Sequence, residues 1–405
     1  MDEADIIILG GGLVGLTLAL ALDAHGLSSI VVDPADPAAI TAPGFDGRAS
    51  AVASASHAML DAIGIGADLR PHGCAIESIH VRDGLSPSAL MFDADAPGGP
   101  LGIMYPNRLL RRALHDAAGR ANHVSLLMPA TPVATSRDGS GVRVTLADGR
   151  EVRGALLVAA EGRNSPTREA AGIPVARWQY RHHAIIATLG HERPHQAIAH
   201  ELFYPSGPFA LLPMLDDADG PRSAIVWTVS ERDGPAMLGL PDRAFLAEAE
   251  KRMGGMLGRL RSASPRASYP LGFHHAARLT DERLALVGDA GHGIHPIAGQ
   301  GLNLGFRDVA ALAEVLVDGA RLGLDLGDAQ LLARYERWRA LDTFLVASVT
   351  DGLTRLFGLP GRVPRAVRRF GLGVVSRTPP LKRRFMAEAR GETGELPRLL
   401  QGLPV

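Results

Sequence analysis

The 405-residue chain contains a single cysteine, Cys74, and two lysines against forty arginines. One cysteine excludes an intramolecular disulfide, as is typical of proteins in reducing compartments. The formal net charge of −1 provides no general attraction to nucleic acid, and we expect no nucleic-acid partner. The uncharged run Ile6–Leu22 is broken by glycines, is shorter than the roughly 20 apolar residues of a membrane span, and follows acidic residues. We therefore expect a cytoplasmic protein in which this run is neither a leader nor an anchor.

Apolar residues are abundant, at 46% of the chain, which is enough for a large core. This length predicts two domains or one domain with a large insertion. The N-terminal residues predict a strand from Asp5, a turn, an apolar helix to about Ala24, and a second strand that ends at Asp33. The chain therefore begins with a strand–helix–strand unit.

The turn of this unit has the GxGxxG spacing at Gly10, Gly12 and Gly15. Gly10 permits a tight turn, Gly12 lets a pyrophosphate approach the helix N-terminus, and Gly15 allows close packing of helix and strand. Asp33 lies 23 residues after Gly10, near the spacing expected for an acid that binds the adenosine ribose. The pattern predicts a dinucleotide site, with Leu13 and Val14 at the same helix start.

A second segment combines a carboxylate with a glycine-rich helix entry. Asp289 follows an apolar strand over 284–287, and Gly299 and Gly301 precede a helix over 302–316. A carboxylate accepts hydrogen bonds from ribityl hydroxyls, glycines admit a flat ring, and the positive helix end favours the charge of a reduced flavin. The segment alone also fits an ordinary strand-to-helix turn.

A third strand-to-turn segment covers 155–168 and contains Glu161 and Gly162, after a hairpin pattern over 142–150. With these three segments in this order, the chain resembles the group A flavoprotein monooxygenases, the aromatic hydroxylases related to para-hydroxybenzoate hydroxylase. Glu161 stands where that family usually has Asp. The segments over 47–52, 207–213, 292–305, 335–339 and 350–357 are most similar to the ubiquinone-biosynthesis hydroxylases.

The resemblance implies an α/β fold: a Rossmann-like FAD-binding domain of the GR2 type, an inserted antiparallel β-sheet substrate domain, and a helical C-terminal region. The implied FAD-binding domain covers 1–75, 100–175 and 276–345. The substrate domain covers 76–99 and 176–275, where alternating segments predict strands near 184–189, 197–203, 209–212 and 223–229. The C-terminal region covers 346–405.

The resemblance also implies roles for individual residues. Arg48 would contact the flavin or the nicotinamide, Asn107 would lie near the flavin, and Glu161 would serve both nucleotides. Asp289 would hold the ribityl chain, whereas Pro296 and the run from Gly299 through Gly301, Leu302 and Asn303 would border the flavin ring. From composition alone Arg48 is equally an exposed surface arginine, and Asn107 equally a helix cap.

Two histidine patterns do not predict a metal. His191–His195 spells HExxH, but that zinc motif needs a helix, and Pro194 within it would cost roughly 3 kcal/mol. For His292 and His295 no third ligand with suitable spacing is evident, so we expect them to shape the turn instead.

Residues 351–384 contain nine basic residues and one acid, interleaved with apolar side chains. Such a segment suits docking to the inner face of the cytoplasmic membrane or to a biosynthetic complex, and equally suits a solvated helical cap.

The implied activity is the hydroxylation of a polyprenylated phenol in ubiquinone biosynthesis, with FAD, NADPH or NADH, and O₂. The phenol activates its own ring, so no side-chain base is required. Two alternatives remain: a hydroxylase of a small soluble aromatic acid, and a weakly active flavoprotein that serves as a docking subunit.

Overall fold

The computed structural model describes residues 2–42, 47–94, 99–293, 300–340 and 378–405. Its strands, in chain order, are β1 (Glu3–Leu9), β2 (Ser29–Val32), β3 (Ala49–Ala53), β4 (Cys74–Ile76), β5 (Ser78–Asp83), β6 (Leu90–Asp93), β7 (Gly102–Pro106), β8 (Val124–Leu127), β9 (Pro132–Asp138), β10 (Gly141–Leu146), β11 (Glu151–Ala159), β12 (Val175–His191), β13 (Ile198–Tyr204), β14 (Gly207–Asp217), β15 (Gly220–Ser230), β16 (Leu260–Ala263), β17 (Ala267–Ala276), β18 (Thr280–Asp281), β19 (Leu284–Leu286) and β20 (His292–Gly293).

The helices are α1 (Leu13–Asp23), α2 (Pro37–Thr41), α3 (Ser54–Ala62), α4 (Gly66–Leu69), α5 (Asn107–Arg120), α6 (Pro166–Ala170), α7 (Gly234–Leu238), α8 (Asp242–Met253), α9 (Gln300–Arg321) and α10 (Pro379–Arg390). Residues 329–340 are also helical. Short 3₁₀ turns occur at Arg70–His72, Gly288–Ala290 and Arg398–Gln401.

The first sheet has the order β18-β19-β11-β1-β2-β8, and the five strands from β19 to β8 run parallel. Helices α1 and α9 pack against these strands in one apolar core. Parallel strands covered in this way are nearly continuous apolar runs, which explains the composition of β1. The N-terminal strand–helix–strand prediction is confirmed, and β10 and β11 form the antiparallel hairpin expected from 142–150.

The second sheet has the order β20-β17-β12-β15-β14-β13-β5-β6 and contains all four strands expected in the middle of the chain. The four expected strands pair antiparallel, as predicted. β5 was not among them, and it joins the sheet by pairing in parallel with β13. These strands come from distant segments, so no tight hairpin forces them to run in opposite directions. On one face α8 covers an apolar cluster, and the other face packs against the three-stranded sheet β3-β7-β4.

The face of the second sheet that α8 covers also carries a pair of histidines, of which His200 is buried and His80 half-buried. The rings of His80 and His200 meet edge to face, with centroids 5.3 Å apart. Burial, with the nearby charges of His80 and Arg82, lowers the pKa of His200 to about 4, so the folded protein keeps this ring neutral.

The lowered pKa of His200 predicts that the free energy of unfolding falls in acid. An unfolded histidine titrates near pH 6.5 and folded His200 near 4, so its contribution to stability is complete above pH 6.5 and is lost as the pH falls toward 4. Between pH 7 and 4, the free energy of unfolding of His200→Asn should therefore fall by less than that of the wild type, with a difference on the order of 2–3 kcal/mol. Urea unfolding across this pH range measures the difference. His72→Asn, at an exposed site, is the matched control. Equal slopes in the two variants would refute this assignment.

Several predicted features lie outside the described residues: Pro296, Gly299, His295 and most of the basic segment 351–384. Within the described ranges, no helix combines the length and apolar character needed to cross a bilayer. The domain boundaries given above stay a prediction.

Candidate flavin and substrate site

The turn after β1 has the geometry that its glycines suggested. Gly10 has φ +110°, and a Cβ there would lie 2.4 Å from the carbonyl oxygen of Ala160. A Cβ on Gly15 would lie 1.9 Å from the carbonyl oxygen of Gly10. Gly12 differs, because a Cβ there would meet no atom within 4 Å. Gly10 and Gly15 are therefore required for close backbone packing, whereas Gly12 borders open space at the start of α1.

The start of α1 can accept an anion. Its N-cap residue Gly12 has no side-chain cap, and the first turn has no acidic residue. The backbone N–H groups of Leu13 and Val14 are therefore available to phosphate oxygens, reinforced by the helix dipole. Beside them, Asp33 at the end of β2 accepts a 2.6 Å hydrogen bond from the Gly11 N–H. These residues fit the pyrophosphate and ribose of FAD.

The Asp289 turn lies next to this helix start. Val14 is the connection, because Cβ atoms on Gly288 and Gly305 would lie 3.1 Å and 2.7 Å from its Cγ2 atom. Only a residue without a side chain allows both backbones to approach Val14 this closely. Asp289 itself is exposed on the 3₁₀ turn, so its carboxylate is free to face a ligand. The GxGxxG turn after β1 and the Asp289 turn thus form one site.

A buried carboxylate fixes this turn. Asp308 of α9 accepts hydrogen bonds from the Gly288 N–H (2.8 Å), His292 Nε2 (2.6 Å) and Arg339 Nε (2.7 Å). Burial alone would raise the pKa of Asp308, but the charges and hydrogen bonds of His292 and Arg339 outweigh it and hold the pKa below its usual value. His292 shapes the turn, as expected from the sequence.

Two further buried side chains hold the carbonyl groups of the same turn. His274 Nε2 donates to the Asp289 carbonyl (2.7 Å), and Arg168 Nη1 donates to the Ala290 carbonyl (2.9 Å). Arg168 lies on α6, which follows the Glu161 turn. Its hydrogen bond therefore joins the Glu161 turn to the Asp289 turn. Glu161 accepts hydrogen bonds from Ser165 Oγ (2.5 Å) and Thr167 Oγ1 (3.0 Å) and thereby stabilises the start of α6.

The remaining predicted residues meet at β3. Asn303 donates to the Ala51 carbonyl and accepts from the Ala53 N–H, both at 2.9 Å. Asn107 occupies the first turn of α5, after the N-cap residue Pro106, and accepts a 2.6 Å hydrogen bond from Ser50 Oγ. Its side chain therefore ties β3 to α5 and does not cap the helix. Gly301 and Leu302 lie beside Asn303 on α9, and a Cβ on Gly301 would meet nothing within 4 Å.

Arg48 immediately precedes β3, and its carbonyl accepts a 2.9 Å hydrogen bond from the Asn107 N–H. Its guanidinium carbon lies 5.3 Å from the ring centroid of Tyr269, on β17 of the second sheet. Arg48 is exposed, but it bridges the flavin-side strand to the sheet expected to hold substrate.

Sequence reasoning missed Asp308, Arg168 and His274 as site residues. Asp308 had a detectable signal, since it is one of two carboxylates, with Glu314, within the apolar helix 302–316, and a buried charge needs partners. Arg168 and His274 had none, because their partners are backbone carbonyls of a distant turn.

The HExxH pattern lies on a strand end and a connection. His191 ends β12, and its ring nitrogens bond to the Arg193 carbonyl (2.8 Å) and Ser223 Oγ (3.0 Å). No group of three or more potential metal-ligating side chains occurs among the residues that the structure describes.

Together the fold and this site define a dinucleotide-binding flavoprotein. Comparison with known proteins agrees: the family described as FAD binding domain matches residues 3–343. The chain is 48% identical to the ubiquinone hydroxylase UbiL of Rhodospirillum rubrum, over 99% of this chain and 94% of that protein. It is 33% identical to the 3-demethoxyubiquinol 3-hydroxylase of Escherichia coli, over 96% and 99%.

One solved structure shares the fold at low identity. It is the p-nitrophenol 4-monooxygenase PnpA of Pseudomonas putida (TM-score 0.78, 17% identical, 98% of this chain and all of that one). The chain belongs to the FAD-dependent monooxygenases of the FAD binding domain family. It uses FAD, and NADPH or NADH and O₂ as co-substrates are consistent with the monooxygenase class.

Proposed function

We propose that this monooxygenase hydroxylates the aromatic ring of a polyprenylated phenol in ubiquinone biosynthesis. The observation that carries the proposal is the near full-length similarity, at 48% and 33% identity, to two proteins named as ubiquinone and demethoxyubiquinol hydroxylases.

The residues assigned from the sequence keep their roles in this proposal. Gly12, Leu13 and Val14 would bind the pyrophosphate of FAD, Asp33 its ribose, and Asp289 its ribityl chain. Gly301 and Leu302, with Pro296 and Gly299 from the segment outside the described residues, would border the ring, and Arg48 would contact the flavin or nicotinamide. The bound flavin would supply the activated oxygen. The protein would position the phenol and exclude water.

We also propose the domain division stated from the sequence. It assigns residues 76–99 and 176–275 to the substrate-binding domain, and these ranges contain β5, β6 and β13 to β16.

The alternative function, hydroxylation of a small aromatic acid, would require a cation on the substrate-binding face of the sheet to pair with the substrate's carboxylate.

The function is tested by mixing the FAD-loaded protein with NADPH or NADH in air and with a short-chain prenylphenol or para-hydroxybenzoate. We expect a one-oxygen mass gain and substrate-stimulated cofactor oxidation with the prenylphenol alone. Oxygen gain by para-hydroxybenzoate alone would replace the proposal with a soluble-acid hydroxylase. A protein stimulated by neither would fit a docking subunit instead.

We further propose that α10 delivers the substrate from an anionic membrane surface. Arg383, Arg384 and Phe385 are exposed on this helix. The Phe385 ring centroid lies 6.4 Å from that of Phe92, a member of the apolar cluster between the second sheet and β3-β7-β4. A basic and aromatic surface next to an apolar interior suits a lipid-dissolved substrate.

The membrane proposal predicts a charge effect. Each basic residue near an anionic bilayer contributes about 1 kcal/mol, so Arg383→Glu with Arg384→Glu should weaken binding to phosphatidylserine vesicles at least tenfold in cosedimentation. Arg232→Glu with Arg243→Glu, which reverses two exposed charges elsewhere, is the control. Equal binding of both double variants would remove α10 as the docking element.

A further inference from the structure

Residues 391–405, the C-terminal strap, follow α10 and run along one side of α9. Polar contacts join the strap to α9 in chain order: Arg307 to Gly391 and Thr393, Glu314 to Arg398, and Arg321 to Val405. Leu399 and Leu400 of the strap are buried in the apolar core of the first sheet. The strap therefore fixes the end of α10 to the part of the protein that contains the flavin site.

Arg307 makes the first of these contacts, at the end of α10. Its Nη1 and Nη2 atoms donate to the carbonyl oxygens of Gly391 (3.0 Å) and Thr393 (2.6 Å). Gly391 is the C-cap residue of α10, so the buried guanidinium lies at the negative end of the dipole of this helix. Arg307 thus holds the C-terminal end of α10 by hydrogen bonds and by charge.

The same contact lies beside the flavin-side strand β3. Asn303 precedes Arg307 by about one turn of α9, and its side chain binds the backbone of β3 at Ala51 and Ala53. A Cβ on Gly391 would lie 3.5 Å from the Cβ of Ala53, so the end of α10 lies directly beside β3. The helix α9, the strand β3 and the helix α10 therefore meet at one junction, next to the residues proposed to border the flavin ring.

The rest of α10 contacts the second sheet. The Phe385 ring lies 6.4 Å from that of Phe92 on β6, and Met386 packs against the apolar cluster that the second sheet shares with β3-β7-β4. The Thr393 hydroxyl donates to the Glu388 carboxylate (2.7 Å) and ties the side of α10 to the strap. Helix α10 therefore bridges the sheet proposed to bind substrate and the junction with α9.

We propose that Arg307 is a positioning residue, which fixes α10 to α9 and β3 and thereby sets the substrate-side elements relative to the flavin. The inference rests on the proposed function. Oxygen transfer requires the reacting atoms to lie about 3–3.5 Å apart, and a displacement of about 1 Å caused by a distant change can lower the rate about 100-fold. Arg307 acts through α10 and Asn303 and performs no chemistry itself.

The test measures the amount of hydroxylated product formed per NADPH or NADH oxidised. The FAD-loaded protein is mixed in air with a short-chain prenylphenol, and hydrogen peroxide is measured as the product of oxygen that does not reach the ring. In Arg307→Ala we expect this product ratio to fall about tenfold, because the ring is less well positioned. The FAD content should stay near that of the wild type. A loss of folded protein alone would leave the ratio unchanged, because it lowers both quantities equally.

Three further variants make the comparison specific. Arg307→Lys should recover part of the product ratio, because an ammonium group keeps the charge and can reach one of the two carbonyls. Thr393→Val removes the hydrogen bond to α10 but keeps the carbonyl, and it should lower the ratio even if Arg307→Ala does not fold. Arg398→Ala is the matched control, since it removes ion pairs with Glu314 (3.4 Å) and Asp318 (3.6 Å) from the same strap, about two turns further along α9. It should follow the wild type.

A second measurement does not depend on turnover. Hydrogen exchange of the oxidised, FAD-loaded protein reports how firmly α10 is held. The amides of residues 385–390 should exchange about tenfold faster in Arg307→Ala than in the wild type, because each lost hydrogen bond weakens the contact severalfold. Exchange in Arg398→Ala should match the wild type there.

The outcomes separate this assignment from the proposed reaction. Equal product ratios in Arg307→Ala and Arg398→Ala would overturn the positioning role of Arg307, and so would unchanged exchange in α10. A wild type that transfers no oxygen to the prenylphenol would refute the proposed function. The exchange comparison would then decide by itself whether Arg307 holds α10.

Discussion

Asp308→Ala is expected to lower the free energy of unfolding by about 3–5 kcal/mol, because removing one partner of a buried charge cluster leaves the others unpaired. Asp308 is fully buried, and His292 and Arg339 are each 2% exposed. The substitution also frees the Gly288 N–H, which positions the turn of Asp289. Urea unfolding of the apoprotein measures the first effect, and FAD content after dialysis measures the second.

Asp68→Ala provides the matched control. Its carboxylate pairs with Arg120 at 3.0 Å, but both side chains are more than half exposed, and such pairs contribute about 0–1 kcal/mol. Equal losses in the two variants would contradict the structural role given to Asp308. Asp308→Asn, which keeps the shape and loses the charge, should fall between them.

Gly15→Ala and Gly12→Ala are expected to separate folding from cofactor binding. The Gly15 methyl would have to displace the Gly10 backbone, since its ideal position is 1.9 Å from that carbonyl oxygen. We expect a loss of about 3 kcal/mol or more and little folded apoprotein, because a backbone contact cannot be relieved by a rotamer change.

Gly12→Ala should leave the apoprotein within about 1 kcal/mol of the wild type, because its methyl meets no protein atom and affects only the N-cap position. FAD affinity should fall at least tenfold, since the methyl would occupy the space through which a pyrophosphate reaches α1. Flavin fluorescence titration measures the affinity. An unchanged affinity would show that the phosphates lie elsewhere.

The glycine motif illustrates how much of the site is local. Gly10 and Gly15 were assigned a turn and a close packing contact from their spacing alone, and the structure contains both. The prediction succeeded because strand, turn and helix are adjacent in the chain. Asn107 was ambiguous between a cap and a site residue, because the partner that decides it, Ser50, lies on another strand.

The sequence by itself determined the strand–helix–strand unit, the strands of the second sheet, and the class of cofactor, since each depends on periodicity or on short glycine and acid spacings. Only the tertiary structure decided that Asp308 fixes the Asp289 turn. It also decided that β13 pairs in parallel with β5. The physical reason is that burial and partner choice depend on segments that meet only after the chain has folded, and a buried charge takes its properties from those partners.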